Sequence, residues 1–165
     1  MSRKTAPFSV EQASDSSGLL LWQVTALWQR RIASALRPHG LTQVQYALLA
    51  SLLWMSRTQR TITQAMLARH TKLDMMMTSQ VLRTLEARGL LERRPHPTDT
   101  RAKVLSLTKE GRKLAWQAVP VVEGVDREFF GALGAQLDRF NRSLLSLVAF
   151  SNQDDTMPRN FDNTK

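Results

Sequence analysis

At 165 residues and 18.7 kDa, with 42% hydrophobic and 22% charged residues, the chain is about one domain long, too short for a two-domain cofactor enzyme. Cys is absent, which excludes disulfide scaffolds, thiolate metal sites and catalytic or redox-sensing thiols. The net charge of +9 is concentrated: twelve Lys/Arg against five Asp/Glu between Met55 and Arg112 place +7 of it in that third of the sequence, a pattern suited to an anionic partner.

In chain order, residues 1–13 are polar and without period, and read as an unstructured arm. Ser14, Asp15 and Ser16 offer N-caps for a helix running to about Arg37, with Leu21, Val24, Trp28 and Ile32 in one apolar stripe until Pro38 and Gly40 stop it. Thr42 caps a second helix that turns Tyr46, Leu49, Leu52 and Leu53 inward. After the break SRTQRT, Thr63 caps a short helix to about Arg69, with Met66 and Leu67 inward. A turn over His70–Leu73 leads to Asp74, the cap of a helix from Met75 to about Arg88 whose expected buried face is Met77, Val81, Leu82 and Leu85, with Gly89 at the left-handed C′ position. Two helices joined by a tight turn form a helix-turn-helix pattern. LLERR and AKVLSL then read as strands around the loop PHPTDTR, where Pro95 and Pro97 are expected to prevent regular pairing. A hairpin with a basic tip after two helices is a winged helix.

Thr108 caps a long helix with Leu114, Ala118, Val121, Val125 and Phe129 in a stripe, and Pro120 should bend or divide it. Gly131 and Gly134 mark a corner before a last helix, about Ala135 to Phe150, with Leu137, Phe140, Leu144 and Val148 in phase. Residues 151–165 read as a polar tail. The expected fold is therefore mainly α with a small β-wing: one domain over 14–150, with a winged helix-turn-helix lobe at about 42–112 and outer helices at about 14–37 and 109–150. The outer helices carry wider apolar faces than the lobe can cover, and packing against a second copy, as a homodimer, is the simplest solution.

Asp99-Thr100-Arg101 followed by Val104-Leu105-Ser106-Leu107-Thr108-Lys109-Glu110-Gly111 resembles the "D-x-R … v-x-L-T-x-x-G" signature of the MarR family of bacterial transcriptional regulators. Leu85-Glu86-x-x-Gly89-Leu90-Leu91-x-Arg93 is similar to the end of that family's recognition helix, where Thr78 falls on a Thr often found there, and Leu41-Thr42-x-x-Gln45-Tyr46 is similar to its second helix. The resemblance spans roughly Leu19 to Val148. It implies a homodimer that binds a pseudo-palindromic operator, in many relatives as a repressor released by a small phenolic or other aromatic ligand. Relatives that respond through cysteine oxidation are not matched, since this chain has no Cys.

For duplex DNA the expected base-edge residues are Ser79, Gln80 and Arg83, with Thr78 on phosphate or base, because Arg suits guanine acceptors and Gln suits adenine. The alternative for Arg83 is a solvated helix residue, and Met75 and Met76 could pack under the adjacent turn or meet thymine methyl groups. By resemblance Arg101 is the wing-tip arginine that enters the minor groove, held by Asp99; the alternative is an Asp99–Arg101 pair that only stabilises the wing. Lys103, Arg93 and Arg94 are expected on phosphates. Trp28, Tyr46 and Trp54 are candidates to line a pocket for an aromatic effector, or else simply core.

His39, His70 and His96 are isolated, and no catalytic constellation, metal-ligand spacing or phosphate-binding glycine loop is present, so an enzyme, a metal and a cofactor are not expected. No stretch has the length of a membrane span and the opening lacks an apolar signal core, which points to a cytoplasmic protein without a membrane partner. The competing reading is a winged-helix protein–protein adaptor without specific DNA binding. An RNA binder is a third, disfavoured because the basic lobe lacks an aromatic stacking platform.

Overall fold

The structure, a computed structural model, describes residues 9–99 and 101–154. The described residues form six α-helices and one hairpin in the order α1 (Ser17–Leu36), α2 (Gln43–Met55), α3 (Gln64–Thr71), α4 (Met75–Ala87), β1 (Leu91–Pro95), β2 (Lys103–Leu107), α5 (Lys109–Gly131) and α6 (Leu137–Asp154). They fall into two compact units, one ending at Val125 and the other beginning at Asp126. No described helix is long and apolar enough to cross a membrane.

Most helix starts are set by the caps named from sequence. The side chains of Ser16, Thr42 and Thr63 accept from the third amide beyond them, and Asp74 accepts from both Met76 N and Met77 N. Thr42 and Gln45 complete a reciprocal capping box. The Thr108 hydroxyl accepts from Gly111 N at 3.0 Å and donates to Gly89 O at 2.7 Å, so one side chain ties the start of α5 to the end of α4. Gly89 has φ +69°, the left-handed conformation its C′ position requires. Gly111 is needed for a different reason: a Cβ there would lie 1.8 Å from the Leu90 carbonyl oxygen.

The core of the first unit is built from Ile32 and Leu36 of α1, Leu48, Leu49 and Leu52 of α2, Leu67 of α3, Leu82 and Leu85 of α4 and Leu91 of β1, all essentially inaccessible. Each such side chain contributes roughly 1.5–3 kcal/mol relative to exposure. Tyr46, Leu53 and Trp28 pack against this core while half-buried. In the second unit the rings of Phe129 and Phe130 meet edge to face at 5.1 Å, and Phe130 lies 6.1 Å from Phe140.

Several boundaries and faces differ from expectation. Residues 1–8 of the expected arm lie outside the described residues, but Ala13–Asp15 form a 3-10 turn closed by a capping box with Gln12. The third helix continues to Thr71 and ends at Lys72 with φ 56°, and the last helix continues to Asp154; residues 155–165 lie outside the description. Pro95 is paired, opposite Lys103, because a terminal position on a two-stranded ribbon needs no amide from it. The hairpin is also extended beyond its two strands: Thr63 bridges Val104, and Leu105 N donates to Ile62 O at 2.8 Å.

On α4 the inward stripe is Thr78, Leu82 and Leu85, and Met77 is instead 47% exposed. A threonine fits the core there because its hydroxyl donates to Asp74 O at 2.8 Å and needs no other partner. On α5 the buried positions are Gly111, Ala115, Ala118 and Val122; Ala118 is shared with the expected stripe, and Leu114 and Val125 are half-buried beside them. Small residues allow close approach on that side. The helix is not divided at Pro120.

Candidate nucleic-acid interface

The α4 helix is presented by three separate devices. At its start, Asp74 satisfies two amides and Gln64 Nε2 reaches Met75 O at 3.5 Å, linking the first turns of α3 and α4. At its end, Arg88 Nη1 donates to Gly40 O (3.0 Å) and Gln45 Oε1 (3.2 Å), which fixes α4 to the corner between α1 and α2. Along its length Thr78, Leu82 and Leu85 anchor it in the core. The remaining face leaves Met75, Met76, Met77, Gln80 and Arg83 exposed, with Ser79 half-buried.

The expected role of Thr78 is therefore corrected: it is fully buried and its hydroxyl bonds within the helix, so it has no surface with which to meet phosphate or base. Gln80 and Arg83 are free to reach outward, and among the described residues the Arg83 guanidinium carries no ion pair.

The wing is organised by groups close in sequence. Arg101 N donates to Asp99 Oδ1 at 3.0 Å and Ala102 N to Asp99 O at 3.0 Å, while His96 Nδ1 accepts from Thr98 N (3.3 Å) and Asp99 N (3.2 Å). Asp99 thus holds the backbone of Arg101, not its guanidinium, which among the described residues has no ion pair. Thr100, between them, lies outside the described residues. His96, set aside in the sequence as isolated, is the ring that collects the amides of the turn.

The three remaining cations differ from one another. Arg93 is half-buried and ion-paired with Glu86, with its Nε 2.8 Å from Glu86 Oε2. That hydrogen bond and the adjacent guanidinium hold the Glu86 carboxyl below its ordinary value of 4.5, against a smaller opposing effect of burial. Arg93 is thereby a partly neutralised residue that joins α4 to β1. Arg94 is exposed and pairs with Glu92 at 2.7 Å, a contact that water screens. Lys103 is exposed at the start of β2.

Between wing and helices lies a cleft of about 350 Å³, lined by Thr63 and Gln64 of the α3 start, Met75 of the α4 start, and Arg93, Arg101 and Lys103. It is where the first turn of α4 and the wing cations meet.

A second, larger cavity of about 770 Å³ lies between α2 and α5, lined by Leu53, Trp54, Arg57, Arg112, Trp116 and Pro120 among others. The Arg57 guanidinium sits 4.7 Å over the centre of the Trp54 ring. Of the three aromatic residues expected to share a pocket, only Trp54 lines this cavity; Trp28 and Tyr46 pack on the core instead. Trp116, Arg57 and Arg112 were not identified from sequence, since nothing local shows that α2 and α5 face one another there.

Comparison with known proteins agrees with this architecture. The MarR family profile matches residues 41–103, the span from α2 to the start of β2. An uncharacterized HTH-type transcriptional regulator of Bacillus subtilis, YdcH, is 44% identical over 117 residues, covering 71% of this chain and 80% of that protein. Among solved structures, a MarR variant from Escherichia coli complexed with operator DNA superposes with a TM-score of 0.68 at 26% identity, over 79% of this chain and 91% of the other. CouR from Rhodococcus jostii, bound to p-coumaroyl-CoA, gives 0.70 at 26% identity, over 86% and 96%. A capped recognition helix, a basic wing and this likeness over most of the chain lead to one conclusion: the protein belongs to the MarR family of transcriptional regulators.

Proposed function

We propose that the protein binds a pseudo-palindromic operator as a homodimer in the cytoplasm and represses transcription by occupying it. The observation that carries this reading is the convergence of the first turn of α4 with Arg101 and Lys103 of the wing at one cleft, beside a helix face presenting Gln80 and Arg83. Gln80 and Arg83 match adenine and guanine edges in the major groove, and Arg101 suits the negative potential of a narrow minor groove. Arg94 and Lys103 act on phosphates, with Arg93 contributing less because Glu86 already accompanies it.

Two copies are required because one recognition helix covers only a half-site; a symmetric pair reads successive major grooves about 34 Å apart. Apolar side chains on α1 (Leu21 at 54%, Trp22 at 75%) and on α6 (Leu145 at 67%, Phe150 at 65%) supply faces for that pairing.

The effector is a small aromatic ligand held in the α2–α5 cavity, its ring against Trp54 and Trp116 and an anionic group near Arg57 and Arg112. The acyl-CoA ligand of CouR, an aromatic body with an anionic extension, supports a ligand of that kind. Such a ligand releases DNA only by binding more tightly to a dimer geometry that no longer fits the operator.

Fluorescence anisotropy with a duplex from upstream of the gene, competed by random duplex and by RNA, tests the reading. Specific binding that falls about a thousandfold or more between 50 and 200 mM salt is expected for six to ten phosphate contacts. Indifference to every such fragment would overturn it in favour of a protein-docking module.

A further inference from the structure

Met75, Met76 and Met77 open the DNA-reading helix and are 48%, 82% and 47% exposed. Of the other methionines, Met55 is buried and Met66 half-buried, while Met1 and Met157 lie outside the described residues. Every exposed methionine among the described residues therefore stands on a single turn, the one that a helix-turn-helix protein inserts first into the major groove. Surface thioethers are otherwise avoidable, and polar residues would cap and solvate this turn equally well. The chain has no Cys to react ahead of them, so among the described residues these thioethers are the exposed sulfur nucleophiles.

We propose that Met75–Met77 is a sulfoxidation site through which a peroxide-class oxidant releases the protein from its operator. This rests on the DNA-binding reading above. A thioether sulfur gives an electron pair to one oxygen of the hydroperoxide; the S–O bond forms as the O–O bond breaks. Sulfur is oxidised by two electrons, and the other oxygen takes the proton of the transferred one and leaves as water from hydrogen peroxide or as the alcohol from an organic hydroperoxide.

The consequence at the interface follows from polarity. A thioether makes apolar contact with a thymine methyl group. A sulfoxide is polar and a hydrogen-bond acceptor only, and it would face the acceptor-rich edges of guanine and thymine in a field already negative from phosphate. The turn itself should survive, because its caps are the Asp74 carboxylate and backbone amides, which carry no sulfur. Sulfoxide formation is reversible by reductases specific for each epimer, so the event can serve as a signal.

The test titrates the full-length protein with hydrogen peroxide, which spares the exposed tryptophans, and follows oxygen addition at each Met by peptide mass spectrometry. Operator affinity and helical circular dichroism are read on the same samples. Sulfoxide should appear on residues 75–77 before Met55, with affinity falling roughly tenfold or more, as for a lost base contact, helicity unchanged, and recovery on treatment with both methionine sulfoxide reductases. Compared with its own untreated sample, the M75L/M76L/M77L variant should lose no further affinity on peroxide treatment, and M76Q should bind more weakly than the parent without any oxidant. Unchanged affinity once all three are sulfoxides, equal loss in the triple-leucine protein, or loss of helicity at the same dose would each overturn the proposal. Failure of the untreated protein to bind any duplex would instead remove the DNA-binding reading on which it stands.

Discussion

The winged-helix region and the outer faces of α1 and α6 resolve the burial of apolar surface in opposite ways. Between Leu41 and Val122 the larger aliphatic side chains are mostly buried or half-buried, and the helix starts have side-chain caps. Along α1 from Leu19 to Leu27 and along α6 from Leu145 to Phe150, leucines and aromatic side chains stand open. The first region displays cations and methionines outward; the second displays apolar side chains. If recognition rests on the first and assembly on the second, as proposed above, substitutions should separate the two.

The largest effect is expected at the wing. Arg101→Ala removes a guanidinium that has no ion pair among the described residues, so little stability should accompany its loss. A groove-reading Arg is worth about 1–3 kcal/mol, and with both subunits of a dimer affected, affinity should fall on the order of a hundredfold at fixed salt while the thermal midpoint stays put. Unchanged affinity would show that the wing is structural only.

Gly111→Ala should do the reverse. A Cβ at 1.8 Å from Leu90 O forces apart the end of α4 and the start of α5, and the contact is backbone, with no side chain to swing aside. A loss of about 3 kcal/mol in denaturant unfolding is expected, at the upper end for overpacking. A midpoint equal to the parent would mean that α5 can shift freely there.

The second region is probed by Leu145→Lys with Leu147→Lys, at positions 67% and 59% exposed in a single chain. Surface changes on a monomer typically cost under about 0.5 kcal/mol, so the fold should be retained. The mass by light scattering should drop from twice 18.7 kDa to 18.7 kDa, and operator binding should weaken with it. A parent protein that already sediments as one chain would defeat the comparison outright.

How much of this could be read from the chain alone depends on the range of the interaction. Ser16, Thr42, Thr63, Asp74 and Thr108 were legible as caps because a cap acts on amides two or three residues away. Arg101 was singled out by the resemblance that Asp99-Thr100-Arg101 carries, but that Asp99 meets its backbone amide and not its guanidinium was not legible there. Thr78, taken from the resemblance as a DNA contact, is buried instead, because a hydroxyl bonded to the carbonyl four residues back behaves as a small apolar group. The tie from Arg88 to Gly40 spans 48 positions, and the bridge from Thr63 to Val104 spans a comparable distance; neither leaves a local trace. The α2–α5 cavity belongs to the same class, set by how two distant helices cross.

The smallest predicted effect concerns Glu86, whose pairing with Arg93 seven residues on depends on how the chain turns from α4 into β1. Glu86→Gln should lower stability at neutral pH by under about 1 kcal/mol, because the carboxylate is about a third exposed and the pair is screened. Its pH dependence is more informative than its size. The folded-state value lies below the ordinary 4.5, so the ionised carboxylate contributes fully above that value, and the contribution disappears as pH falls through the lowered one. The difference between parent and variant should therefore be constant from pH 7 to about 5 and shrink toward zero below 4.5. A difference that persists into stronger acid would assign the effect to packing between α4 and β1 and leave Arg93 free for phosphate. Raised DNA affinity in Glu86→Gln at neutral pH would make the same point from the other side, since Arg93 would then have been held back by its partner.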